Sequence, residues 1–198
     1  MLTANGLKIK EFYMVQNVNY ELKNKDVFLK TFLLIGKIND KKIINNLIDF
    51  IKINKKDLTN KTHVQGGFTG FESLTNNENF IDFLKNIKEQ INVVYKENFI
   101  IRDAWGTYSR LNEEITEHNH AGVDGFCGIL YLTKGGPGTY FRDYDLLIEE
   151  EVGKYVLFHP ILKHRVEKIT ANIERFTVAF NMVKMMNWEN YENVKWIK

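Results

Sequence analysis

The sequence predicts a mainly β member of the α+β class, with two helices packed against an antiparallel core. Three observations carry this expectation. Two stretches in the first half repeat apolar residues at helical spacing. From residue 99 the chain breaks into short runs rich in β-branched and aromatic residues, such as "GFCGILYLT", "KYVLFH" and "ERFTVAFNMV". Glycine, asparagine and acidic residues separate those runs, as turns separate the strands of a sandwich or barrel.

In chain order, "DVFLKTFLLIG" is apolar and partly alternating, which predicts a strand around residues 27–35. In "NDKKIINNLIDFIKIN", Ile43, Ile44, Leu47, Ile48 and Ile51 form one apolar stripe, and Asn39 or Asp40 can cap the helix. The glycine-containing "THVQGGFTGFESL" reads as a loop. A second helix follows, with Phe80, Phe83, Leu84, Ile87, Ile91 and Val94 on one face. "KGGPGTYF" has the composition of a hairpin turn, since Gly135, Gly136 and Gly138 tolerate positive φ. The expected organisation is one domain over 1–198, with helical support at about 38–97 and a β-core at about 99–183.

Composition excludes several function classes. With 44% hydrophobic and 26% charged residues the balance is that of a globular protein. A net charge of only +2, with lysines spread along the chain, gives no electrostatic footprint for nucleic acid. No stretch approaches the roughly 20 apolar residues that span a bilayer, and the opening residues lack a signal-peptide pattern, so no membrane is expected and the location expected is cytoplasmic. The single cysteine, Cys127, cannot form an internal disulfide and reads as a small packed residue.

The chemistry lies in the histidines. Four of the five fall between residues 118 and 164. In "EHNHAGVDG", an extended backbone would aim His118 and His120 into the same space, where neutral imidazoles favour sharing a cation. "GKYVLFHPILKHRV" then places His164 at the start of a strand, as a third ligand. Three such ligands occupy one face of an iron and leave the opposite positions open; three histidines and a water also suit zinc. Asp124 is an alternative carboxylate ligand, and His159, ahead of Pro160, reads as structural. Arg175 and Thr177 share one face of the strand "ERFTVAF". A buried guanidinium needs a carboxylate, and none presents itself; Glu174 would face away.

The order of these pieces resembles the double-stranded β-helix (jelly-roll or cupin-like) oxygenases dependent on iron(II) and 2-oxoglutarate, prolyl-hydroxylase-like members included. The resemblance rests on the histidine motif followed by "GFCGILYL", on "GGPGTYF", on "GKYVLFHPILKH" and on "RFT". It covers roughly residues 62–183, and a subfamily of similar pattern also matches at Trp105 and Asn181. It implies Fe(II) held by His118, His120 and His164, with no catalytic residue beyond these ligands. It further implies 2-oxoglutarate bound by Arg175 and Thr177, with Tyr108 and Tyr131 lining the cosubstrate pocket. The implied activity is hydroxylation of an unactivated C–H bond in a protein or small-molecule substrate, a prolyl or other side chain of a protein among them. Most of the superfamily has His-x-Asp or His-x-Glu where this chain has His-x-His, which leaves the second ligand open between His120 and Asp124. Two alternatives stand beside this reading: a cupin-type metalloenzyme that does not use 2-oxoglutarate, and a non-catalytic β-sandwich binding protein. Substrate-contacting loops are expected at 62–75 and 142–152, and the acidic "DYDLLIEEE" within the latter reads as solvated. Oligomeric state is not legible.

Overall fold

The computed structural model describes residues 12–22, 25–57, 63, 65–94 and 99–184. Strands β1 (Phe12–Leu22) and β2 (Lys25–Lys37) pair as a long antiparallel hairpin, so the expected strand is longer and has a partner before it. Helix α1 (Lys41–Asn54) begins where the Asp40 carboxylate accepts the N–H groups of Lys42 and Ile43, at 2.9 and 3.1 Å. Short strands β3 (Lys56–Asp57) and β4 (Gly67–Phe68) follow. Helix α2 (Glu78–Val94) starts at Asn77, whose side-chain oxygen accepts from Asn79 and Phe80.

The β half then alternates between two antiparallel sheets. Strands β5 (Phe99–Ser109), β7 (Gly125–Tyr131), β10 (Lys154–Phe158) and β12 (Arg175–Lys184) join the larger sheet, whose order is β1-β2-β10-β7-β12-β5-β4-β3. Strands β6 (Ile115–His118), β8 (Thr139–Phe141), β9 (Leu146–Ile148) and β11 (His164–Val166) form the smaller one, in the order β6-β11-β8-β9.

The expected hairpin at "KGGPGTYF" is corrected. This segment crosses from one sheet to the other, because β7 and β8 do not pair. Gly135 and Gly138 do have positive φ, at 89° and 80°. Gly136 does not; its missing Cβ matters for a different reason, given below.

The larger sheet is covered on both faces, so its strands sort their side chains by parity. Along β7, Phe126 and Leu130 face the helices, whereas Cys127, Ile129 and Tyr131 face the smaller sheet. Strand β10 divides likewise, with Tyr155 and Leu157 on the helix side and Val156 and Phe158 opposite. The helix-side core gathers Leu47 and Ile51 of α1, Phe80, Phe83 and Ile87 of α2, and Phe176, Val178 and Phe180 of β12. A Cβ at Gly106 would stand 2.3 Å from Ile51 Cγ1, so α1 reaches the sheet only over a glycine.

Phe83 is fully buried between α2, Tyr155 and Phe180, with ring centroids 5.8 and 5.9 Å away. Phe83→Ala is expected to lower unfolding free energy by roughly 3–5 kcal/mol, measured by urea denaturation.

Candidate metal and cosubstrate site

The three histidines meet where β6 and β11 pair. His118 and His164 are direct cross-strand partners. His120 lies just past the end of β6, held by its N–H to the Pro160 carbonyl at 2.8 Å. Ring centroids are 4.3 Å apart for His118 and His164, and 5.3 Å for each pair that includes His120. One nitrogen of each ring falls within 4.8 Å of the others.

Hydrogen bonding fixes two tautomers. His118 Nδ1 lies 2.9 Å from the Thr116 carbonyl, and His164 Nδ1 lies 3.0 Å from that of Leu162. A carbonyl only accepts, so each Nδ1 carries the proton and each Nε2 keeps its lone pair for a cation. Burial among Phe141, Phe158 and Trp105 disfavours the charged form of His120 and His164. Desolvation, then the neighbouring imidazoles, pushes His120 down to about 4 and His164 well below the usual histidine value. Desolvation lowers His118 as well, against its backbone hydrogen bond. At neutral pH the cluster is therefore neutral and ready to ligate.

Arg175 and Thr177 line the same cavity as the three histidines, along with Thr107, Thr139, Cys127 and Trp105. The Thr177 and Thr107 hydroxyls are 2.5 Å apart. Arg175 is 1% exposed. Its Nε donates to Glu150, equally buried, and its Nη1 has no partner. Glu150 is the carboxylate that the sequence did not disclose. It sits within the acidic run read as solvated, yet just past the end of β9 the chain exposes Glu149 and Glu151 and buries Glu150. The other Glu150 oxygen accepts the Gly136 N–H at 3.2 Å, and a Cβ on Gly136 would lie 2.3 Å from it. That contact, rather than a positive φ, is why glycine stands there.

Two expected residues lie elsewhere. Tyr108 packs on Phe176 in the helix-side core, and its hydroxyl donates to Glu174 at 3.0 Å. Strand parity explains the correction: Thr177 pairs with Thr107 across β12 and β5, so Thr107 faces the cavity and Tyr108 faces away. Asp124 is on an exposed turn and is not in the histidine cluster. Its only placed contact is a backbone one, its carbonyl accepting from Lys184 N–H at 2.9 Å.

Tyr131, expected to line the cosubstrate pocket, does not line the cavity: it is fully buried between the sheets and donates to Thr139 Oγ1 at 2.7 Å, behind a residue that does. His159 accepts the Ile161 N–H through Nδ1 at 3.2 Å and packs edge-on to Phe32. Cys127 is buried, and desolvation raises its thiol well above the usual value, which keeps it from acting as a thiolate. His63, which no motif singled out, stacks on His118 with centroids 4.9 Å apart and planes 9° from parallel.

The lowered histidine pKa values have a consequence for stability. Between about 4 and 6.5 the unfolded chain binds more protons at His120 than the folded chain does. This contribution is whole above pH 6.5 and is lost as pH falls towards 4. The melting temperature of metal-free protein is expected to drop over that range, and His120→Gln to flatten the drop, as read by calorimetric scans.

No protein-family model and no curated protein matches this sequence. Solved structures do. The viral collagen prolyl hydroxylase from Paramecium bursaria Chlorella virus-1, in complex with 2-oxoglutarate, superposes with a TM-score of 0.57 at 14% identity, over 75% of this chain and 94% of that one. HygX from Streptomyces hygroscopicus, with nickel, 2-oxoglutarate and hygromycin B bound, gives 0.58 at 10% identity, over 76% and 82%. SnoK, a non-heme α-ketoglutarate-dependent carbocyclase from nogalamycin biosynthesis, gives 0.61 at 9% identity, over 76% and 78%. The chain thus has the fold of the iron(II)- and 2-oxoglutarate-dependent oxygenases.

Proposed function

We propose that the protein is an iron(II)- and 2-oxoglutarate-dependent dioxygenase that hydroxylates an unactivated C–H bond of a protein or small-molecule substrate. Its strand order, alternating between two sheets, fits a double-stranded β-helix in a single domain. One observation carries the reading: three neutral imidazoles and a buried arginine with an unpartnered Nη1 line one cavity.

The residues fit both groups. His118, His120 and His164 would hold the metal on one face and leave the opposite positions open. Arg175 Nη1, a buried donor with nothing to donate to, would take the distal carboxylate of 2-oxoglutarate, with Thr177 beside it. With dioxygen as the oxidant, bound iron and 2-oxoglutarate would supply the hydroxylating chemistry, one oxygen atom going to the substrate and the other to succinate as carbon dioxide is released. The chain's own part is to orient the cosubstrate, keep the ligands neutral and exclude water with Phe141, Phe158 and Trp105. The arginine also separates this reading from a cupin-type enzyme without 2-oxoglutarate, which has no use for a buried guanidinium in the metal cavity.

Arg175→Ala would leave Glu150 charged, buried and alone, so its loss of stability would mask any effect on the cosubstrate. Arg175→Lys keeps the charge and removes the fork. It is expected to raise the 2-oxoglutarate concentration for half-maximal succinate release about tenfold or more, while affinity for manganese changes by less than about threefold. An equal loss of both would make Arg175 a structural residue and remove the cosubstrate site. Metal itself should stabilise the protein: manganese at about 100 times its dissociation constant is expected to add roughly 2.7 kcal/mol, and His164→Ala to abolish the gain, measured by denaturant unfolding.

A further inference from the structure

We propose that Glu150 is the counter-charge of the cosubstrate pocket, standing behind Arg175 because the metal ligands include no carboxylate. This rests on the oxygenase reading above.

Charges gathered in one low-dielectric cavity have to balance. A divalent cation and the dianionic cosubstrate cancel each other. Three neutral imidazoles add nothing. That leaves the guanidinium of Arg175, which is 1% exposed and cannot recruit solvent ions. Where one of the ligands is Asp or Glu, that carboxylate would cancel the arginine and a second one would be surplus. Here His120 stands in that place, and the missing negative charge appears at the other end of the cavity.

Its placement suits the role. Glu150 bonds Arg175 Nε from behind, and does not itself line the cavity. The terminal Nη1 remains without a partner. Glu150 is in turn anchored by the Gly136 N–H, at a residue whose lack of a Cβ makes room for the carboxylate. It thus neutralises the guanidinium and aims it without covering the nitrogen that faces the cosubstrate. Glu150 is a positioning residue and touches neither metal nor substrate.

The test compares 2-oxoglutarate with 2-oxopentanoate, the same keto acid without the distal carboxylate, by calorimetric titration of manganese-loaded protein. In wild type the attraction of Arg175 for the distal carboxylate is already offset by Glu150. Glu150→Gln keeps the shape and removes the charge, so the preference for 2-oxoglutarate over 2-oxopentanoate is expected to rise about tenfold or more. A residue that only packs would leave that ratio unchanged, and an unchanged or smaller ratio overturns the proposal. Should Glu150→Gln not fold, Glu150→Asp draws the carboxylate back by one methylene and is expected to raise the ratio about threefold; no rise overturns the proposal equally. Wild-type protein that binds manganese but neither keto acid would instead overturn the oxygenase reading itself.

Discussion

Strands β5, β7, β10 and β12 are covered on both faces, and that double coverage governs where Arg175, Thr177, Thr107 and the other cavity side chains of this sheet can go. In a strand with one wet face, a slip of parity exposes apolar surface and is costly on that side alone. Here it would drive Phe176, Val178 and Phe180 into the cavity, and Arg175 and Thr177 into the helix-side core. The helices therefore act on the site indirectly. By filling one face of the sheet with Leu47, Ile51, Phe80 and Phe83, they leave the other face to the cavity and its polar residues Thr107, Arg175 and Thr177.

That arrangement brings an electrostatic difficulty, which the chain resolves at both ends of the cavity. The histidine end is kept neutral: imidazoles among aromatic rings resist protonation, and two of them are oriented by backbone carbonyls. The opposite end holds a guanidinium, which cannot neutralise itself by losing a proton as histidine can. It requires an ion of opposite sign, and Glu150 reaches Nε without blocking Nη1.

These two ends differ in how far they were legible from sequence. The histidines were legible because i and i+2 share a face and because a glycine, an apolar strand and a proline lead into His164. Arg175 with Thr177 was legible for the same reason. Tyr108 was misplaced because its face depends on register with β12, and register is a relation between strands that no single segment carries. Glu150 was hidden by its neighbours. In a run of three glutamates, composition describes the solvated majority, and only the alternation of exposed, buried, exposed identifies the one that points inward. The hairpin at "KGGPGTYF" failed likewise, since glycines report a sharp change of direction and not whether the next strand joins the same sheet.

The segment that carries His63, Gln65 and β4 as far as Phe71 shows the same dependence on distant contacts. Its backbone follows the exposed edge of β6, with Thr116 N–H donating to His63 O and Gln65 N–H to Glu114 O, at 2.9 and 3.1 Å. Gly66 and Gly70, with φ of 113° and 100°, turn it from that edge towards β5. The turn sets His63 flat against His118 and brings Phe68 and Phe71 edge-on to Trp105, whose ring lies 6.5 Å from that of His120. One segment thus buttresses both members of the His-x-His pair, one by direct stacking and the other through an indole. Neither contact is a hydrogen bond to the ring, so the segment restrains where the imidazoles point without competing for their lone pairs. A pair of neutral imidazoles at the end of a short edge strand needs such support, because β6 ends at His118 and its ladder does not extend to His120.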